Sequence, residues 1–370
     1  MSGLSIPVFN MLQRWLKTGL IALLLVTLSV GLCAAGVRES RLPQGNAITD
    51  GKALLRYSLP IDNQQVRELQ KSLEDISQQL RGKRWSTINA DVKKAATIVS
   101  DRQSDILASI PDEQKPKAEA LINQISENLV PLKAAAEAKN RPELLDQSAS
   151  ILNLVGELEE YMVQKFPFEV PAEYSNLPQL KGRATVKMTT EKGDLTLVLD
   201  GYSAPVTAGN FVDLVQRGFY NGLPFIRAEE SYVLQTGDPI GKEEGFIDPK
   251  TKKYRAIPLE ILVKGDEIPT YGITLEDAGR YRDQPVLPFS AYGAVAMARP
   301  ESEVNGASSQ FFFFLFEPEL TPAGLNLLDG RYTIFGFVTE GKDVLQKLKQ
   351  GDKIESAKVI KGAENLVQPK

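Results

Sequence analysis

The chain has 370 residues, of which 42% are hydrophobic and 24% charged, and its formal net charge is −4. This length and composition suit about two globular domains with separate cores. The sequence contains no histidine, and Cys33 is its only cysteine, so Ser-His and Cys-His catalysis, the usual zinc sites and an internal disulfide are excluded. The acidic balance predicts no nucleic-acid surface, and we expect neither a metal nor another cofactor.

Residues 1–35 are typical of a secretory signal peptide. Two basic residues precede an apolar run over 18–32, and small residues allow cleavage after Ala35. The stretch 18–37 is also near the length that spans a bilayer, so an uncleaved membrane anchor is the alternative. Both interpretations predict an exported protein.

Residues 36–61 are interpreted as an N-terminal extension, and residues 62–165 carry the apolar spacing of helices. The pattern predicts four helices: one between a cap at Asp62 and a stop at Gly82, and others over 87–109, over 112–138 and from about residue 140. Pro131 is expected to kink or shorten the third. Four amphipathic helices joined by short turns predict an antiparallel four-helix bundle with its own core.

The pattern changes again after the helices. Three prolines within 166–182 predict a semi-rigid linker. In the segment 183–370, alternation on both sides of residues 191–193 predicts a β-hairpin, and a short helix is expected over 205–217. Residues 240–290 include a polar, proline-bearing insertion.

Two pairs of sequence blocks in this segment are more specific. NFVDLVQRGFYNGLPFIR at 210–227 precedes LQTGDP at 234–239, and NGASSQFFFF at 305–314 precedes LLDGRYTIFGFV at 327–338. Their order and spacing closely resemble the cyclophilin domain, whose members isomerise the peptide bond before proline. The resemblance implies an α + β, multidomain chain in which a helical bundle precedes a closed antiparallel β-barrel, with the 240–290 insertion near the rim of its substrate groove.

The chemistry of prolyl isomerisation explains which residues matter. The barrier of about 18–20 kcal/mol comes from amide resonance, and a twisted amide has a nitrogen that can accept a hydrogen bond. A permanently charged arginine is a suitable donor. By resemblance, Arg227 is the catalytic arginine, Gln235 contacts the substrate carbonyl and Phe312 forms the floor of the proline pocket. Gln310 matches the neighbouring polar wall.

The resemblance also identifies further groove positions, some of them changed. Ala298 and Leu328 match the family. Tyr232 and Val233 occupy the positions of the usual aromatic and thioether side chains, and Arg299 replaces an asparagine. Leu327 replaces the usual tryptophan, which implies weak binding of the macrocyclic peptide inhibitor of the family, and Tyr332 replaces the usual histidine.

These replacements leave alternatives open. A single arginine in a loop is more often a solvated charge, and Tyr232 and Tyr332 have an equal claim to a packing role. The chain could be an isomerase, a non-catalytic assembly chaperone, or an isomerase whose groove is covered by the bundle or by residues 53–60.

Nearly the whole chain resembles the thylakoid-lumen cyclophilins of cyanobacteria and chloroplasts. That resemblance implies proline-containing polypeptides as substrates, action in folding or assembly of lumenal and membrane proteins, and photosystem II subunits as partners. The helical bundle resembles the extrinsic four-helix subunit of that complex. The leader is equally compatible with a periplasmic location.

Overall fold

The computed structural model describes residues 48–316 and 326–369. The expected signal peptide and the apolar stretch over 18–37 lie outside these residues. Within the described ranges, none of the helices combines the length and apolar character that a membrane crossing needs.

A helical region precedes the sheet. Its helices are α1 Gly51–Ser58, α2 Gln64–Arg81, α3 Trp85–Asp101, α4 Gln103–Leu107, α5 Lys115–Glu137 and α6 Arg141–Met162. The four long helices form a ring of contacts, in which α2 packs against α3 and α6, and α5 packs against the same two. Their apolar stripes meet in one buried cluster, which includes Leu69, Val92, Ile125 and Val155. Amphipathic spacing therefore produces a shared core.

The helix ends differ in detail from the sequence predictions. Asn63, not Asp62, caps α2, because its side-chain oxygen accepts a hydrogen bond from the Val66 N–H at 3.0 Å. The predicted helix over 87–109 is divided at Arg102 into α3 and α4. Pro131 does not shorten α5, which continues to Glu137. The burial of Leu129 and Leu132 on either side of the proline offsets the backbone hydrogen bond that it removes.

The C-terminal region is built on an antiparallel sheet. The strands are β1 Gln179–Leu180, β2 Arg183–Thr190, β3 Gly193–Asp200, β4 Arg227–Glu229, β5 Val233–Thr236, β6 Glu260–Ile261, β7 Thr270–Tyr271, β8 Ala294–Met297, β9 Phe311–Phe314, β10 Ile334–Glu340, β11 Ile354–Lys361 and β12 Leu366–Val367; the helices are α7 Pro205–Gln216 and α8 Lys342–Leu345. Eight strands follow the order β11-β2-β3-β10-β8-β9-β5-β4. The predicted hairpin is β2–β3, and its register ends at Thr190 opposite Gly193.

The sheet is curled, but the closed barrel expected from the sequence is not shown. Among the described residues, no strand ladder joins β11 to β4, which are the two edges. Backbone hydrogen bonds link the segment before β4 to the start of β11 and the residues just before it, including Phe225 N–H to Asp352 O at 2.8 Å and Ile354 N–H to Leu223 O at 3.0 Å. The ends of the sheet therefore approach each other through loops.

The segment interpreted as a linker is partly structured. It contains a 3-10 turn at Ala172–Tyr174, and β1 at its end pairs with β12 near the C-terminus. Leu177 and Leu180 are buried in the main core of the sheet region. Sequence reasoning missed this because two-residue strands have no detectable period.

Alternation along the strands divides the apolar residues of the sheet between two clusters. In β9, Phe311 and Phe313 belong to the main core with α7, whereas Phe312 and Phe314 belong to a cluster on the other face. The second cluster also contains Leu54 and Leu55 of α1. Helix α1, which lies in the predicted extension, therefore packs on the same face of the sheet as Phe312.

Charged side chains join the helices to the sheet in what we call the junction network, which consists of Arg56, Arg67, Glu74, Glu159, Glu160, Arg183 and Asp200. Arg183 Nε donates to Asp200 Oδ1 at 3.1 Å, and its Nη atoms donate to Ser58 Oγ at 3.0 Å, to the Leu55 carbonyl and to Glu160 Oε1. Because Asp200 is fully buried, this arginine neutralises a carboxylate that water does not reach.

Candidate active site

Strand register brings the three residues expected to be catalytic into one row. Arg227 on β4 lies opposite Gln235 on β5, and Gln235 lies opposite Phe312 on β9. Directly paired residues point to the same face of a sheet, and neighbouring strands are about 4.8 Å apart. The row therefore places a guanidinium, an amide and an aromatic ring along one face, separated by the width of about two strand spacings.

The arginine end of the row is open to solvent. Half of the Arg227 side chain is exposed, and its Nε and Nη2 donate to Glu229 Oε1, each at 2.7 Å. The 57–58 end of α1 lies elsewhere, against Arg67 and Arg183. Helix α1 packs at β10 and Arg227 remains accessible, so the covering of the site by residues 53–60 stays a prediction.

The middle of the row is a chain of amide hydrogen bonds. Gln235 Nε2 donates to Gln310 Oε1 at 2.8 Å, and Gln310 Nε2 donates to Asp238 Oδ1 and to the Glu244 carbonyl, both at 2.9 Å. Burial, followed by the nearby Glu244 charge, raises the pKa of Asp238, although the Gln310 hydrogen bond opposes that shift. These bonds fix which way the Gln235 amide faces.

Aromatic rings form the floor. Phe312 is only 5% exposed, and its ring stacks parallel to Phe289 at 6.0 Å and meets Tyr332 edge-on at 5.6 Å, measured between centroids. Phe314, which follows Phe312 on the same face, contacts Phe289 and Tyr232 edge-on. Such a surface has the flat apolar character that suits a pyrrolidine ring.

The remaining predicted residues surround this floor. Val233 is buried in the same apolar cluster, and Ala298 and Leu328 pack against it. The Ala298 N–H donates to the Gln310 carbonyl at 2.9 Å, which ties β8 to the amide chain. Tyr232, by contrast, is 38% exposed at the outer edge.

The far rim is held by Arg299. Its guanidinium lies 5.2 Å above the Tyr332 ring centroid and donates to the Arg331 carbonyl at 3.0 and 3.1 Å. Leu327, at the position of the family tryptophan, is 88% exposed and does not contribute to the wall. At this rim of the candidate site, the replacements at Arg299 and Tyr332 therefore place a cation over an aromatic ring, and Leu327 leaves the position of the tryptophan open.

Backbone geometry near the row depends on Gly237. Its φ is +92°, and a Cβ there would lie 2.4 Å from the Ser309 carbonyl oxygen. Glycine is the residue that adopts this conformation without strain, so the TGD segment after β5 can approach the backbone of Ser309 and Gln310 just before β9.

Sequence reasoning missed several members of the site. Glu229 has a local signal, because it lies two residues beyond Arg227 and shares its face if the segment is a strand, but no strand was predicted there. Phe289 gives no such signal, since it comes from the 240–290 region and reaches Phe312 only through the tertiary fold.

Comparison with known proteins agrees with this architecture. Residues 50–163 match the family model described as the PsbQ-like domain of CYP38-like peptidyl-prolyl cis-trans isomerases, and residues 185–365 match the cyclophilin-type peptidyl-prolyl cis-trans isomerase model. The two matches separate the helical region from the sheet region and place the Arg227 row in the second.

Similar proteins extend over nearly the whole chain. A Synechocystis protein named as a thylakoid lumen peptidyl-prolyl cis-trans isomerase is 56% identical over 369 residues, covering 98% of this chain and 97% of its own. The chloroplastic isomerase CYP38 of Arabidopsis thaliana is 46% identical, covering 89% of this chain and 78% of its own, and the chloroplastic CYP37 is 35% identical, covering 86% and 71%.

The fold, the row and these similarities define a class of protein. The chain belongs to the cyclophilin-type peptidyl-prolyl cis/trans isomerases that carry a PsbQ-like N-terminal domain.

Proposed function

We propose that Arg227 stabilises the twisted prolyl amide by donating a hydrogen bond to its nitrogen, while Gln235 holds the preceding carbonyl and Phe312 seats the ring. The single observation that carries this proposal is the row, in which strand register alone aligns the three side chains on one face. No proton or electron is transferred in this reaction. Pre-aligned donors lower the barrier because they favour the twisted amide over the planar one.

The surrounding residues have separate proposed roles. Tyr232, Val233, Ala298 and Leu328 shape the surface that receives the polypeptide, and Gln310 fixes Gln235 through their hydrogen bond. Arg299 and Tyr332 form the rim beyond the ring pocket. These substrate contacts limit which proline-containing segments can enter.

A second candidate is a cyclophilin-fold chaperone that binds partner loops without accelerating rotation. The Arg227–Glu229 ion pair favours it, because a guanidinium that already donates to a carboxylate has fewer donors for an amide nitrogen. The exposure of Leu327 also favours it, because the wall that tryptophan supplies in the family is absent at this position.

We also propose the setting in which the protein acts. The names of the relatives support the thylakoid lumen, reached after cleavage of residues 1–35, as the site of folding or assembly of lumenal and membrane proteins. The PsbQ-like match supports photosystem II subunits as partners. In this proposal residues 62–165 act as an antiparallel four-helix bundle, residues 166–182 connect it to the 183–370 isomerase domain, and the sheet functions as a closed barrel.

Isomerisation of a proline tetrapeptide by the full mature chain tests the catalytic role. We expect Arg227→Ala to lower kcat/KM by about 30-fold, which corresponds to about 2 kcal/mol of lost transition-state stabilisation. Arg282→Ala is the control, since it removes an exposed arginine whose guanidinium lies over Tyr281. Peptide binding without acceleration by the folded wild type would instead support the chaperone candidate.

The setting has its own test. Protease protection in intact and opened thylakoids reports whether the mature chain lies in the lumen, and co-isolation from solubilised membranes reports photosystem II subunits. Recovery of the mature chain in the periplasmic fraction would overturn the lumenal location. Recovery of the same amount of photosystem II subunits in a control isolation without the chain would overturn the proposed partners.

A further inference from the structure

Glu229 holds a position on the candidate site that the cyclophilin resemblance does not explain. It lies two residues beyond Arg227 on β4 and pairs in register with Val233, which in turn pairs with Phe314. Because alternate residues of a strand share a face, its carboxylate lies on the same side as the Arg227 row, one row further along the site.

The contact between the two side chains is close and solvent-accessible. A single oxygen, Glu229 Oε1, accepts from both Nε and Nη2 of Arg227 at 2.7 Å, and the two side chains are 50% and 48% exposed. The guanidinium has five N–H donors in all. The pair therefore engages two of the five and turns the guanidinium towards Glu229, and exposed pairs of this kind exchange readily because water screens them.

Charge is distributed unevenly across the site. Glu229 and the following Glu230 are both exposed at the β4 end, whereas Arg299 lies beyond Phe312 over Tyr332. A bound polypeptide thus meets negative charge beside Arg227 and positive charge at the opposite rim. A cationic substrate side chain is favoured only at the first of these ends.

We propose that Glu229 determines substrate specificity by selecting proline segments that carry lysine or arginine within two residues of the proline. Glu229 lies one row, about 7 Å, beyond Arg227, which is the span of two extended residues. In a polypeptide that follows the strand direction, a cationic residue two positions from the proline therefore lies at Glu229 while the prolyl nitrogen lies at Arg227. The substrate cation takes over the carboxylate and releases the Arg227 guanidinium to the prolyl nitrogen. The mechanism rests on the catalytic role proposed above for Arg227.

Matched tetrapeptides test this selection. They differ only in one residue within two positions of the proline, which is lysine, alanine or glutamate. Each is assayed for kcat/KM and for Kd with the full mature chain and with Glu229→Gln, Glu230→Gln and Arg227→Ala. We expect the wild type to prefer lysine over glutamate by about five-fold, a size typical of one exposed ion pair. Glu229→Gln should abolish that preference and raise turnover of the alanine peptide, whereas Glu230→Gln, which removes the same charge from the next residue, should keep most of it.

The outcomes separate this inference from the catalytic proposal. Equal lysine preference in the wild type and in Glu229→Gln, or no preference in either kcat/KM or Kd, would overturn the selection. A fall in alanine-peptide turnover in Glu229→Gln as large as that in Arg227→Ala would show that Glu229 orients the arginine rather than competing for it. A lysine preference in Kd that Glu229→Gln removes, without any acceleration of rotation, would support the selection and overturn the catalytic role of Arg227.

Discussion

The junction network and the Arg227 end of the candidate site use the same chemical groups in opposite environments. At the junction, Arg183 is 10% exposed and contacts the fully buried Asp200. At the site, Arg227 and Glu229 are each about half exposed. Water screens the second pair and hardly reaches the first, so the shorter contact, 2.7 Å at the site against 3.1 Å at the junction, has the smaller energetic consequence. Burial therefore decides whether an arginine stabilises the fold or is available to a ligand.

The largest expected effect is from Arg183→Ala. The substitution leaves Asp200 Oδ1 without its arginine donor, although Ser203 Oγ still donates to Oδ2 at 2.7 Å. Breaking a buried pair by removing one partner costs about 3–5 kcal/mol, and we expect that loss in urea unfolding. Lys181→Ala is the control, because Lys181 pairs at 3.4 Å with a Glu169 side chain that is 91% exposed. Equal losses in the two variants would contradict the importance of burial.

The next effect is a pH dependence that originates at Glu159. Burial raises the pKa of this carboxyl to about 7, although Arg67, Arg56 and Arg183 oppose the shift. Its Oε2 has no hydrogen-bond partner among the described residues, whereas Oε1 accepts from Arg67 Nη1 at 3.1 Å. Below about pH 7 the folded protein therefore favours the protonated acid. The unfolded chain loses this proton near its ordinary pKa of 4.5. The stabilising contribution is therefore complete below that pH and decreases as the pH rises towards 7.

Urea unfolding between pH 4.5 and 7.5 measures this contribution as the difference between the wild type and Glu159→Gln. We expect the difference to change by about 2–3 kcal/mol over that interval. Other buried acids remain in both proteins, so their contributions to the pH dependence cancel in the difference. They include Glu260, whose pKa burial also raises to about 7. Glu157→Gln, an exposed neighbour, should leave the wild-type profile unchanged. A pH-independent difference for Glu159→Gln would contradict the shifted pKa.

A smaller effect is expected where α1 packs against the sheet. A Cβ on Gly51 would lie 2.8 Å from Phe337 Cβ and 2.9 Å from its Cγ, so Gly51→Ala must displace the helix or the ring. Overpacking of this kind costs about 1–3 kcal/mol. Gly156→Ala is a matched control, since its Cβ would meet Arg56 at an ordinary 3.5 Å and helix propensity favours alanine. If both variants were equally stable, α1 would not pack tightly on β10 in solution.

Local patterns made part of this architecture predictable. The spacing in α2 and α6 and the start of α6 near residue 140 are encoded within short windows. The β9 run of four phenylalanines was compatible with both a buried strand and a pocket floor, and the structure assigns alternate rings to the two faces.

Features that depend on distant partners could not be predicted. Helix α1 was missed because Arg56 and Ser58 interrupt the apolar pattern of its buried face, and their distant partners are Glu74 and Arg183. The same limit applies to Glu229 and Phe289 at the site. Motif spacing predicted the family residues, but the charge and packing around them depend on which strands and loops become neighbours.

The smallest expected effect on stability is from Arg227→Ala, and it completes the contrast with Arg183. Removal of one member of an exposed ion pair changes the free energy of unfolding by about 0.5 kcal/mol or less, so the urea midpoint should match that of the wild type. The same substitution should still lower kcat/KM by about 30-fold, because the lost donor acts on the twisted amide and not on the folded state. A loss of stability as large as that of Arg183→Ala would make Arg227 a structural residue and would remove the distinction between the two regions. Unchanged stability with a large loss of turnover would instead show that Arg227, on an edge strand, serves the reaction and not the fold.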